Sequence, residues 1–495
     1  MTRLAVLWLS ALVSAALGAW VLFDGAWGVN TVVWAAVAMI GLLLCAAGGA
    51  GVSPALALAA TLGVAIAGVT ALTANGTLHG WTALVLVVLL AVTSKLAEDG
   101  RSERIGWSFI VRSPLSAAVR FLGEAMRRAA HLAGRMVAER SQGWMRGVLL
   151  ALPVVVVFGL LLANADPVFA TLRQSLEEVL RRWDFLPRLT FFGVLFVASL
   201  GAGGLALRGS TASAPISPSP PCPCLGRTER LVVLGAVAGL FGVFLLLQLT
   251  YLFGNAPAVV GSGITFAEYA RRGFNELTIV ATLCALLLMV LDRHAQRSAR
   301  EGPVRRTAWA LVAETLLLLV SAFRRVWLYE DAYGFTTTRL YAQTYMIVMA
   351  LVLLRLAWEL RAVVDTRRLA RWAAALGVLA FVTLGYWNHE AWIARTNIER
   401  GVRTGVMDAT YLVRGLSLDA VPALVRAQGS APEPVAGPLR DALRVRYTGV
   451  RVRDCRWFEW NLRQAQAAHA LEAAGLALNA RSGRQGCVRL ELPSP

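Results

Sequence analysis

Thr265-Phe266-Ala267-Glu268-Tyr269-Ala270-Arg271-Arg272-Gly273-Phe274-Asn275-Glu276-Leu277 runs without a break into an apolar stretch from Thr278 to Leu291. Wound as a helix, it carries Phe266, Tyr269, Ala270, Gly273, Phe274 and Leu277 on one face and Glu268, Arg271, Arg272 and Asn275 on the other. Spacings of three and four bring Glu268 to Arg271 or Arg272, and Arg272 to Glu276. A charged helical face that feeds into an apolar run reads as an amphipathic segment at a membrane surface leading into a span. The same face offers one wall of a binding or catalytic site.

The rest of the chain supports a membrane setting. Its 495 residues are 57% hydrophobic and 16% charged, with a mean hydropathy of +0.59. That is too apolar for one soluble domain, and the apolar runs recur near the roughly 20 residues that hydrocarbon demands. They lie at Leu4 to Phe23, Thr31 to Cys45, Pro54 to Leu72, Trp81 to Leu96, Gly147 to Ala163, Leu189 to Leu207, Leu231 to Phe253, Leu277 to Leu291, Thr307 to Leu328, Leu340 to Trp358 and Trp372 to Trp387. The first also has features of a signal peptide, with Arg3 at its start and small residues near Ala16 and Ala19.

The expected fold is an all-α integral membrane protein of about eleven transmembrane helices, with a small C-terminal extracytoplasmic α+β appendage. Residues 1–208 form the first membrane half, with a basic segment at 98–146, and 209–228 form a Ser/Pro/Ala-rich linker. Residues 229–390 form the second membrane half and 391–495 the tail. Within the tail, helical patterning covers Trp392 to Leu416 and Ser417 to Gln428. A linker is expected from Ser430 to Pro438, a strand from Leu443 to Val452 and a helix from Trp457 to Ala474.

The formal net charge is +18. Nucleic acid is not the expected partner, because the arginines gather between spans, where the positive-inside rule accounts for them. Counting from an inside amino terminus places Glu98 to Arg146, Arg293 to Arg306 and Arg361 to Arg371 on the cytoplasmic side and the tail outside. Residues 113–140 pattern as a basic amphipathic helix suited to anionic lipid headgroups, with the bilayer itself as the principal partner and protein partners unspecified.

Several chemistries lack a signal. The histidines, His79, His131, His294, His389 and His469, have no zinc-like spacing, and Cys222 and Cys224 have no second ligand pair, so no metal is expected. Neither a phosphate-binding Gly-rich loop ending in Lys-Ser/Thr nor a Gly-x-Ser-x-Gly motif occurs, and no cofactor is expected. Cys45 and Cys284 lie in apolar runs, whereas Cys455 and Cys487 lie in the tail, where an oxidising compartment would permit a disulfide.

The stretches Phe266 to Leu277, Asp331 to Tyr341 and Trp387 to Asn397, followed by Asp408 to Leu412 and Leu416 to Pro422, together resemble a bacterial membrane family. It is the one known as domain of unknown function 4173, with its relative 4153. The resemblance covers roughly Leu231 to Leu424, with Asp166 to Phe169 as an upstream element, and implies a bacterial inner-membrane location without assigning catalytic residues. His389-Glu390 departs from the family pattern at that turn.

The candidate site is an outer-face polar cluster of Glu268, Arg271, Arg272, Glu276, Asp331, Arg339, Asn388 and Arg395, with Glu330 and Glu390 at the same level. It reads either as an ion-pair belt docking the tail or as a site for an anionic headgroup. Inside the spans, Glu314 lies roughly 10 Å deep at helical rise, and Arg355 is its expected partner, with a proton or ion relay as the alternative.

Three functions follow. One is a non-enzymatic envelope scaffold, sensor or accessory component. A second is a lipid-linked glycosyltransferase-like enzyme with Asp24 in its first outer loop, and a third is a transporter built around Glu314.

Overall fold

The computed structural model describes residues 3–49, 51–99, 120–125, 127–128, 185–208, 226–252, 274–293, 301–362, 364–448, 450–478 and 488–491. The apolar runs become long helices, as backbone polar groups in hydrocarbon require. In the first half these are α1 (Arg3–Val21), α2 (Val29–Gly48), α3 (Pro54–Leu72), α4 (Gly76–Asp99) and α5 (Phe185–Arg208). In the second they are α6 (Arg227–Leu252), α7 (Phe274–Arg293), α8 (Gly302–Tyr333), α9 (Thr337–Glu359) and α10 (Thr366–Tyr386).

Eight of these are long and apolar enough to cross a membrane. In α7 the apolar part is the shorter Ile279–Asp292, while α8 carries Arg305, Arg306, Glu314, Arg324 and Arg325 along its length. The expected span at 147–163 lies outside the described residues, as do 209–225 of the expected linker. Large apolar side chains such as Leu58, Leu240 and Val320 stand exposed on the helices, which is how a surface facing lipid is composed.

Helix starts follow local chemistry. Ser53 accepts from Leu56 N at 3.2 Å with Pro54 in the first turn, and Asp365 accepts from Arg367 N and Arg368 N at 3.0 Å each. Each half has its own core. One centres on Leu7, Leu42, Leu56 and Leu205, the other on Leu234, Leu288, Leu311 and Leu356. The halves meet where α10 crosses α3: Tyr386 Oη donates to Ala65 O at 2.8 Å, and Gly385 sits so close to Val69 that a Cβ would approach it to 2.5 Å.

The tail has a third core, built on Ile393, Leu424, Leu439, Leu443 and Leu471. It comprises α11 (His389–Thr404), a π turn at Tyr411–Gly415, α12 (Val421–Ser430), α13 (Glu433–Tyr447), β1 (Val450–Asp454), a 3-10 turn at Trp457–Glu459, α14 (Leu462–Ala473), β2 (Ala477–Leu478) and β3 (Val488–Glu491). Strand order is β2-β1-β3, with β1 parallel to β2 and antiparallel to β3 through Val452 opposite Leu490.

Two expectations for the tail are corrected. The stretch Ser430 to Pro438 is not a linker, because Pro434 occupies the first turn of α13, where a missing N–H costs nothing. Nor does a strand begin at Leu443. Leu439, Leu443 and Tyr447 are all buried at a spacing of four, and the helix continues to Tyr447.

Candidate functional site

The short turn between α3 and α4, Thr73-Ala74-Asn75, lies where the ends of the spans meet the tail. Asn75 caps α4 by accepting from Leu78 N at 3.0 Å. Its amide then donates to Glu390 Oε1 at 2.6 Å and to Tyr341 Oη at 3.3 Å, linking the first half to α11 and α9. Glu390 is 2% exposed, and its other oxygen accepts from Ser417 N at 2.7 Å and from Ser417 Oγ. Asp419, equally buried, accepts from Thr73 Oγ1 at 2.5 Å and from Ala74 N at 2.6 Å.

Two further side chains complete this latch. Asn388 caps α11 at Ala391 N and donates to Asp419 O at 3.1 Å. His389 Nδ1 faces the carbonyls of Leu384 and Trp387 at 3.1 and 3.4 Å, so Nδ1 carries the proton and Nε2 accepts from Tyr341 Oη at 3.0 Å. Asn461 ties in the end of the tail by donating to Thr70 O and Thr73 O at 2.8 and 2.7 Å. None of these buried side chains keeps an unpartnered polar atom.

The acids of the site are buried and held by uncharged donors. Burial pushes the Glu390 carboxyl up to about 7 against the opposing donation from Ser417, and it likewise raises Asp419. His389 is lowered by the same burial, which keeps the imidazole neutral. The side-chain polar atoms of Glu390, Asn75 and His389 are engaged within the protein, so the arrangement holds elements together. Among the described residues no group of His, Cys, Asp or Glu is arranged to hold a metal ion.

A second clamp lies beside the latch. Asn397 imitates a strand partner, donating to Phe335 O at 2.8 Å and accepting from Phe335 N at 2.7 Å. Gly334, at φ +83 and ψ 171, lets the backbone pass under it, and a Cβ there would stand 2.5 Å from Asn397 Oδ1.

A family model described as Domain of unknown function (DUF4153) matches residues 56–427, most of the chain. The chain belongs to the DUF4153 family. No curated protein and no solved structure matches it. In this DUF4153 protein the latch from Thr73 to Asp419 falls wholly inside the matched residues, and Asn461 falls outside them.

Of the expected outer-face cluster, the side chains of Asp331, Arg339, Asn388 and Arg395 are among the described residues, and these make separate contacts. Glu268, Arg271 and Arg272 lie outside the described residues, as does the side chain of Glu276. Asp331 is exposed, and only its carbonyl is used, accepting from Arg400 Nε at 2.8 Å. Arg339 lies over the Tyr329 ring at 4.1 Å and donates to Gly334 O, while Arg395 is exposed on α11. Asn388 joins the latch, as does Glu390 at the same level. Asp24 sits at φ 54 in the turn after α1, a local conformation that short polar residues tolerate.

The expected pair of Glu314 and Arg355 is corrected. Arg355 instead donates to Glu359 at 2.5 Å, one helical turn along α9, and Arg368 adds a bidentate contact to the same carboxylate at 2.8 and 2.9 Å. Glu314 keeps one buried oxygen without a hydrogen-bond partner and faces Gly242 of α6. The basic segment expected at 113–140 is described only at 120–125 and 127–128. There Arg120 pairs with Glu98, and Arg127 and Arg128 pair with the fully buried Glu124 at 2.9 and 3.0 Å. Cys455 is disulfide-bonded, and Cys487 lies outside the described residues.

Among the latch residues that sequence reasoning does not single out are Asn75, Thr73, Ser417 and Asp419. Each looks like an ordinary cap or turn residue, and the contact of Thr73 with Asp419 spans 346 positions, beyond any periodicity.

Proposed function

We propose that this chain is a non-enzymatic component of a bacterial envelope, a scaffold or sensor whose tail is locked onto the outer ends of both membrane halves. The observation that carries this reading is Glu390, a buried carboxylate whose hydrogen bonds are consumed by Asn75 of the first half and Ser417 of the tail. A catalytic acid must reach a substrate, whereas this one is closed in on every side.

The finer description has about eleven spans in the bacterial inner membrane. The amino terminus is cytoplasmic and the tail extracytoplasmic, supported by the arginines that flank the ends of the spans away from the tail: Arg227, Arg305, Arg306, Arg361, Arg367 and Arg371. Kinship with family 4173 rests on the stretches at 266–277, 331–341 and 387–397.

The test is complementation of a deletion strain with Glu390→Ala, combined with crosslinking from the exposed Arg395 face. A scaffold loses its phenotype together with its crosslinked neighbours while the lipid-linked sugars of the membrane keep their composition. A change in those sugars with the crosslinks intact overturns the reading in favour of an enzyme.

A further inference from the structure

At the end of the second half away from the tail, a cavity of about 300 Å³ opens between the start of α6, the end of α7, the start of α8 and the turn after α9. This is the lower end of the volume range of small-molecule sites. Its interior is apolar, formed by Leu234, Leu288, Leu291, Val304, Ala308 and Leu360, all belonging to the core of that half.

The charges at its mouth are unevenly committed. The buried Arg230 holds Glu301 through two bonds of 2.7 and 2.9 Å, and Asp292 accepts from Val364 N at 3.2 Å. Both acids at the mouth therefore already serve the fold. Arg305 and Arg361 are exposed. Arg305 donates to Arg361 O at 3.1 Å and lies 5.6 Å from the Trp309 ring, while Arg361 stacks over Trp358 at 3.9 Å. Among the described residues no carboxylate pairs with either guanidinium.

Two arginines without carboxylate partners at the rim of an apolar cavity, with tryptophans beside them at the level where lipid headgroups lie, match an anionic head on a hydrocarbon chain. We infer that this cavity binds an acidic phospholipid, its phosphate held by Arg305 and Arg361 and one acyl chain laid against Leu234, Leu288 and Leu291. The inference rests on the membrane setting of the chain but not on the role of the tail.

The experiment is a native mass spectrometry titration of the full chain in detergent with phosphatidylglycerol, phosphatidylcholine and glycerol 3-phosphate. Phosphatidylglycerol is expected to bind at least about ten-fold more tightly than phosphatidylcholine, a gap that R305Q/R361Q closes and R305K/R361K largely keeps. Ala308→Leu, which narrows the cavity without touching a charge, is expected to weaken phosphatidylglycerol as well. It serves as an independent arm should the double glutamine variant fail to fold.

Equal binding of the two lipids, or phosphatidylglycerol binding unchanged in both R305Q/R361Q and Ala308→Leu, overturns the proposal. Glycerol 3-phosphate displacing phosphatidylglycerol at equal concentration overturns the lipid and gives the site to a soluble phosphate ester. Failure of the scaffold reading would show in the tail variants and leave these titrations untouched.

Discussion

The two ends of the second half hold their acids in opposite ways. At the tail end, Glu390 and Asp419 are held by uncharged donors, an asparagine, a serine, a threonine and backbone N–H groups. At the other end, Glu359 and Glu301 are held by arginines, Arg355 and Arg368 for the first and Arg230 for the second. Neutral donors suit a joint from which water is excluded, since no second charge has to be desolvated. Guanidiniums suit a membrane surface, where Arg368 stays half in water and those without carboxylate partners remain able to take a ligand. One end is therefore built to close and the other to stay responsive.

The sharpest way to break this contrast is to remove the acid at the closed end. Glu390→Ala leaves Ser417 N, Ser417 Oγ and the Asn75 amide without their acceptor. The expected loss is about 3–5 kcal/mol, from roughly 1–3 kcal/mol for each stranded buried donor with partial relaxation. Hydrogen exchange of α11 and of the Leu416 to Ala420 turn is the measurement, and protection equal to wild type would contradict a joint held there.

Gly334→Ala comes next. It places a Cβ in backbone space that only glycine occupies and drives it against Asn397 Oδ1, at an expected cost of about 2–3 kcal/mol. Asn397→Ala should remove the collision and also the paired bonds to Phe335, so the double variant is expected to fall short of the sum of the two singles. Thermal midpoints of the four proteins in one detergent decide it, and strict additivity would uncouple the two residues.

These two sites also show what the amino-acid pattern can convey. Helix positions were legible because hydrocarbon imposes length and apolarity directly: Pro54 to Leu72 was read residue for residue, and Leu340 to Trp358 became Thr337–Glu359. The stretch from Asn388 to Glu390 was legible as a turn following a span, since α10 ends at Tyr386 and α11 begins at His389. The joint itself was not. Its residues are single short polar side chains, each with an adequate local role, and only the fold brings Thr73 to Asp419. Glu314 misled for the converse reason: comparable depth on neighbouring helices suggested Arg355, but Glu359 lies one turn away on that arginine's own helix and wins by proximity.

At the open end, Glu359→Gln removes the anion shared by Arg355 and Arg368 while keeping the volume. The expected loss is smaller, about 1–2 kcal/mol, because Arg368 is half exposed and water replaces much of what it gives up. Raising the salt concentration should shrink the difference between this variant and wild type, and should leave the effect of Glu390→Ala unchanged. Both effects falling together in salt would erase the distinction between the ends.

The gentlest probe is pH, and its sign is specific to a buried acid without a cation. Glu390 sits at about 7 in the folded protein and near its ordinary value of about 4.3 when unfolded. Between those values the native state binds the extra proton, so docking of the tail strengthens as pH falls through 7 and the gain is complete below the unfolded value. The slope stays under about 1.4 kcal/mol per pH unit. Asp419, raised in the same direction, adds to it, while His389, lowered by burial, opposes it once the unfolded imidazole charges near about 6.5. Tyr341 also faces the carboxyl, as do Tyr411 and Tyr447, which burial raises and which stay neutral over this range, and Arg463 acts on Asp419 at a distance. Glu390→Gln separates the contributions, since it deletes the gain and keeps the histidine. Wild type should gain protection of α11 relative to this variant between pH 7.5 and 6, and parallel profiles for the two proteins would mean that Glu390 is ionised in the joint and that its neutral donors hold a full charge.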